Sequence, residues 1–180
     1  MRGCRQQPVP FMGYTMPAGN TIESVISQYM RAGTQPAAFS ADQTFHHTFD
    51  VYLKDSNAFA NTYFSRYFEW QGVARERWFY ECVDANLVGG SVIFITKRAH
   101  QEFVEETFPF QRIDCYLNTF HVRQCSAYLL FRFESAGRLV SLGYQQIVIA
   151  GADRTIQRLP THIMECAKDY ELRPRTPVVA

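Results

Sequence analysis

The sequence predicts an α+β domain in which an antiparallel sheet wraps one long central helix. Three patterns predict it. One strand precedes a long aromatic helix, at least four strands follow that helix, and aromatic residues are abundant throughout. The 15 Phe and 10 Tyr suit a pleated surface, where flat rings pack well. A helix so rich in aromatics needs a broad apolar surface over it, and a curved sheet supplies one.

Residues 1–18 hold Pro, Gly and Gln without periodicity and read as a loose arm. A short helix follows. Asn20 and Glu23 have the spacing of a capping box, and Ile22, Val25, Ile26, Tyr29 and Met30 share one face. Gly33 is the expected stop, and residues 34–43 read as a linker. The first strand is expected from Phe45 to Leu53, with Phe45, His47, Phe49, Val51 and Leu53 alternating with polar neighbours. The long helix is expected from about Asn61 to Cys82, with Phe64, Tyr67, Phe68, Gln71, Ala74, Trp78 and Cys82 on one side. Gly89-Gly90 lies beyond its end.

Strands follow from Ser91. One is expected at Val92 to Lys97, and a separate extended stretch runs from Phe103 to Phe110, where Pro109 marks an edge or bulge. Alternation then predicts strands at Cys115 to Val122 and Ala127 to Glu134. A hairpin turn at Ser135 to Arg138 leads into a last long strand from Leu139 to Ile149. A short helix is expected at Thr161 to Lys168, and the tail with Pro174 and Pro177 reads as frayed. The resulting division is 1–43, 44–160 and 161–180.

Composition narrows the function. A net charge of +1 leaves no footprint for nucleic acid, and no run of like charge suggests a membrane patch. No apolar stretch reaches bilayer-spanning length, and prolines interrupt any signal-like region, so a soluble cytoplasmic protein is expected. The five Cys are odd in number and lack CxxC spacing, so neither a disulfide framework nor a metal cluster is expected. Adjacent His46 and His47 face opposite sides of a strand and make no metal pair. No His stands at triad spacing to support Asp55 or Ser56 as a nucleophile.

The run from Asn57 to Glu76 carries a more specific signal: Asn57, Asn61, Tyr63, Phe64, Tyr67, Trp70, Gln71, Gly72, Arg75 and Glu76. It resembles the hotdog thioesterases of the 4-hydroxybenzoyl-CoA type and, within them, the enediyne polyketide thioesterases. The resemblance extends over residues 45–160, including Phe103 to Asp114 and the strand from Ser141. Ala60 departs from it, standing where a Gly is usual.

The resemblance implies a single hotdog domain, no cofactor, and a homodimer or homotetramer with sites at the seam between copies. It implies a thioesterase acting on an acyl thioester, of polyketide or β-ketoacyl type, carried by an acyl carrier protein. Two other readings stay open: an acyl-CoA thioesterase of general metabolism, and a non-catalytic protein that binds acyl chains. By resemblance the catalytic set is Asn57, Arg75 and Tyr67, and the substrate-binding set is Asn61, Tyr63, Phe64, Phe68 and Gln71. The 4-hydroxybenzoyl-CoA type has Asp where this chain has Asn57. An amide does not titrate, so Asn57 cannot act as a base; it can hold the thioester carbonyl or orient a water. Read alone, Asn57 could also simply close a turn. Glu69 and Glu76 are the rival candidates for the missing base.

Overall fold

The computed structural model describes residues 21–33, 35–87 and 92–175. The expectations for residues 1–18, Asn20, Gly89-Gly90 and Pro177 lie outside that range. The described elements run, in order, α1 (Ile22–Ala32), β1 (Phe39–Ser40), β2 (Phe45–Asp50), α2 (Ser65–Trp78), β3 (Val92–Phe103), β4 (Arg112–Phe120), β5 (Ser126–Ser135), β6 (Arg138–Gly151), α3 (Thr161–Asp169) and β7 (Arg173–Pro174).

Five strands form one antiparallel sheet in the order β2-β4-β5-β6-β3, with β3 at one edge. Its inner face supplies Ile113, Cys115, Leu117, Leu129, Phe131 and Phe133, which pack with Tyr67, Trp70, Ala74 and Trp78 of α2. This is the α+β hotdog arrangement expected from the sequence. Strand alternation sends Leu130, Leu142 and Tyr144 to the other face, where Ile22, Val25, Ile26 and Tyr29 of α1 cover them. The sheet therefore carries a helix on each side.

Local chemistry accounts for the ends of these elements. α1 is capped by Thr21, whose hydroxyl accepts from Ser24 N at 3.2 Å, and it stops at Gly33 in the left-handed region. The β5–β6 hairpin turns through Ala136 and Gly137, both with positive φ, as a two-residue primed turn requires.

Several boundaries differ from the sequence expectation. β2 ends at Asp50, not Leu53, because the Asp55 carboxylate accepts from Tyr52 N at 2.9 Å and winds Leu53–Asp55 into a 3₁₀ turn. The linker at 34–43 contains β1, which pairs with β7, so the tail is held as far as Arg175, whose N donates to Ala38 O at 2.7 Å. The two expected segments, Val92 to Lys97 and Phe103 to Phe110, resolve differently. One continuous strand runs Val92–Phe103 with an irregularity at Lys97, and residues 104–111 form a loop. α2 begins at Ser65, four residues after Asn61. Thr62 N bonds to Thr107 O and Tyr63 N to Asp55 O, so these amides are tied to neighbouring loops instead of a helix. The helix ends in a π turn, Phe79–Val83.

Gly143, in the middle of β6, has a packing reason. A Cβ there would collide with the Gln101 and Gln71 side chains and with the His100 carbonyl. Gln71 reaches the sheet at that point, and its amide donates to His100 O at 3.0 Å and Gln101 Oε1 at 2.5 Å. Gln101 Nε2 in turn donates to Ser141 Oγ, and Ser141 Oγ to Glu102 O.

Candidate active site

The loop between β2 and α2 is closed on itself. Asn57 N donates to Asn61 O at 2.9 Å, Ala60 N donates to Asn57 O at 3.0 Å, and Ser56 bridges to Thr62. The Asn57 side-chain oxygen accepts from Phe59 N at 2.8 Å, an Asx turn. That bond fixes the orientation of the amide: the oxygen is used within the turn, and Nδ2 is left without a protein acceptor among the described residues. Ala60 holds φ at +63°, in the left-handed region. A Gly there removes the Cβ strain, which is the physical sense of the Gly usual at this position.

This loop faces residues 103–107 across a cleft of about 370 Å³. Asn57, Asn61, Thr62, Tyr63, Phe64 and Tyr67 form one wall; Phe103, Val104, Glu105, Glu106 and Thr107 form the other. The two walls are stitched at their base. Thr62 Oγ1 donates to Thr107 O at 3.0 Å, and Thr107 Oγ1 donates to Thr62 Oγ1 at 2.7 Å. Both threonine protons are then committed, so the Tyr67 hydroxyl must donate in its 2.8 Å bond to Thr107 Oγ1. The Tyr67 ring lies edge-on to Trp70, Phe103 and Phe133, and burial raises its pKa above the ordinary value.

The start of α2 opens onto the same cleft. Its N-cap is Phe64, which offers no side-chain hydrogen bond. Arg66 N in the first turn donates to Tyr63 O at 2.9 Å, and no side chain accepts from the remaining first-turn N–H groups, at the positive end of the dipole. Phe64, Tyr63, Phe103 and Val104 leave apolar surface exposed around these polar groups.

The remaining residues singled out from the sequence lie elsewhere. Gln71 is fully buried in the Gln101–Ser141 chain, and Phe68 is half-buried outside the cleft. Arg75 lies ten residues after Ser65, about 15 Å along the helix. It donates to Thr96 Oγ1 at 2.8 Å and Gln145 Oε1 at 2.9 Å, beside edge strand β3. Burial lowers the Arg75 pKa, and neighbouring Glu76 opposes that shift. Neither rival base lines the cleft: Glu69 pairs with Arg66 at 2.6 Å, and Glu76 stands exposed 3.7 Å from Arg75. Asp55 is buried as a turn acceptor and lies 3.5 Å from Arg66 Nε.

Sequence reasoning missed Glu105 and Glu106. Both fall within Phe103 to Asp114, a stretch already noted for its resemblance, and nothing else in their local sequence marks them. Glu105 lies 3.6 Å from Arg138. Glu106 Oε1 accepts from Asn61 Nδ2 at 2.5 Å, while the buried Asn61 Oδ1 has no partner. Among the described residues no cluster of His, Cys, Asp and Glu could hold a metal ion, and no helix is long and apolar enough to cross a membrane.

Comparison with known proteins bears on this geometry. The family described as the thioesterase-like superfamily matches residues 51–166. No curated protein matches the chain by sequence. Among solved structures, the fold is similar to a dynemicin thioesterase, studied for polyene binding, with a TM-score of 0.67 and 17% identity over 72% of this chain and 98% of that one. It is also similar to a 1,4-dihydroxy-2-naphthoyl-CoA thioesterase from Synechocystis, with a TM-score of 0.64 and 18% identity over 69% of this chain and 96% of the other. A Staphylococcus aureus protein solved in complex with CoA gives a TM-score of 0.68 and 12% identity over 77% and 92% of the respective chains.

Proposed function

The chain belongs to the thioesterase-like superfamily, and on that premise we propose that it hydrolyses an acyl thioester, of polyketide or β-ketoacyl type, delivered on an acyl carrier protein. One observation carries this reading. The turn at Asn57 uses up the side-chain oxygen and leaves its amide donor free in a cleft that also receives the uncapped start of α2. In this reading the thioester carbonyl oxygen accepts from Asn57 Nδ2 and from an N–H at the helix start. Donors fixed before reaction stabilise the developing oxyanion without reorganisation, each worth about 3–4 kcal/mol in comparable sites. Tyr67 positions the opposite wall through Thr107, and Asn61 holds the cleft's carboxylate. Tyr63 and Phe64 receive the apolar part of the acyl group.

Arg75 enters through a second copy. Edge strand β3 is unpaired on its outer side among the described residues, and Arg75 sits against its Thr96. A homodimer joined along β3 extends the sheet across both copies and carries Arg75 to the seam. Gln71 and Phe68 then support the helix that presents it.

The acyl-CoA reading is favoured by a different observation, the similarity to a CoA thioesterase and to a protein solved with CoA. Against it stands the composition of the cleft wall. Its charged residues are Glu105 and Glu106, with no Lys or Arg among the lining residues to meet nucleotide phosphates.

The test is a matched panel of acyl thioesters on carrier protein and on coenzyme A, with wild type, Asn57→Ala and Arg75→Ala. Hydrolysis by wild type, lost in both folded variants and faster on the carrier, is the expected result. Preference for coenzyme A moves the second reading to the front. Binding without hydrolysis on every substrate overturns the enzymatic reading and leaves a non-catalytic acyl-binding protein.

A further inference from the structure

The proposed hydrolysis lacks a group to take the proton of the attacking water, because the Asn57 amide cannot titrate. This inference rests on that proposed activity and assigns the missing group. Each carboxylate near α2 can be compared by its partners. Asp55 is buried in a turn beside Arg66, Glu69 pairs with Arg66, and Glu76 is exposed beside Arg75. None of these lines the cleft. Of the two carboxylates that do, Glu105 is drawn toward Arg138. Glu106 has no cationic partner among the described residues; its bond is to the neutral amide of Asn61.

Glu106 is also held in place on both sides. Val104 N and Glu105 N donate to Val140 O at 2.9 and 3.1 Å, which fixes the loop before it. Thr107, directly after it, is locked to Thr62 through Thr62 N at 2.7 Å and through both hydroxyls. The Asn61 bond occupies Oε1 and leaves Oε2 for a water.

We infer that Glu106 is the general base of this cleft, with Asn61 as its positioning residue. Glu106 takes a proton from water as the water oxygen bonds to the thioester carbonyl carbon. The carbonyl π pair moves to oxygen, where Asn57 Nδ2 donates to it. The tetrahedral intermediate then re-forms its C=O bond and breaks the C–S bond. The departing thiolate takes the proton from the Glu106 carboxyl group. One water is consumed, and a carboxylic acid and a thiol are released.

The test compares wild type, Glu106→Gln and Glu69→Gln in steady-state hydrolysis across pH. Gln at 106 still accepts from Asn61 but cannot take a proton. Its kcat should fall about 100-fold or more, with KM within about twofold, and the acid limb of the kcat/KM profile should disappear. In Glu106→Ala, added formate should restore part of the rate. Glu69→Gln, outside the cleft, should stay within about twofold of wild type. An active wild type with Glu106→Gln equally active, or slowed with its pH profile unchanged, overturns the assignment of Glu106 alone. A wild type inactive on every thioester overturns the hydrolase reading, and this inference with it.

Discussion

The middle and the start of α2 treat their side-chain donors in opposite ways. Along its middle, Gln71 and Arg75 are committed donors. Both hydrogens of the Gln71 amide have acceptors, and Arg75 Nη1 bonds to Thr96 and Gln145. At its start, Asn57 Nδ2 has no protein acceptor among the described residues, and no side chain caps the helix. Donors that are used hold a fold together; a donor left unused at an open cleft is available for a substrate. The same helix therefore serves as a strut along its middle and as a site at its start.

This contrast can be broken by mutation, beginning with the strut. Trp78→Ala removes a ring that is 1% exposed in the inner core. It should cost about 3–5 kcal/mol, read as a lower denaturant midpoint. At the site, Asn57→Ala should lower kcat by about 100-fold or more while leaving that midpoint nearly unchanged. A large loss of stability instead would assign Asn57 to the turn alone. Tyr67→Phe should cost about 1 kcal/mol, because Thr107 loses the donor that completes its hydroxyl chain. Ala60→Gly should leave stability equal or raise it by up to about 1 kcal/mol, since relief of the positive φ opposes the added freedom of the unfolded chain. Thermal melts separate these two small effects.

The smallest expected effect is a pH dependence. Burial first, then Arg77, lowers the His47 pKa below 6.5; burial first, then Arg123, does the same for His121. The unfolded chain therefore binds protons at these sites before the folded one. Their contribution is full above pH 6.5 and declines as pH falls from there toward the folded values. Denaturant midpoints at pH 7.5 and 6.0 should differ in that direction, and less so in His47→Asn.

Much of the fold was legible because it is periodic. Alternation located β5 and β6 to within two residues and β2 and β4 to within three, and helical spacing located α1 and α3. Failures came where long-range bonds overrode local pattern. β1 and β7 are two residues each and exist only because they pair with one another. Phe64 falls on the helical stripe, yet the amides of Thr62 and Tyr63 bond to Thr107 and Asp55, so α2 starts late.

For the site, sequence pattern picked out the Asn57 loop and the face of α2, since both lie in one continuous stretch. Glu106 escaped notice because nothing in its own neighbourhood distinguishes it from any solvated loop carboxylate. Its distinction is to lie 45 residues from Asn61 in the chain and within hydrogen-bond reach in the fold. Side-chain alternation and helix spacing are properties of a short stretch, and they determine which faces turn inward. Which polar atoms end without a partner depends on how distant loops meet, and only the tertiary structure decides that.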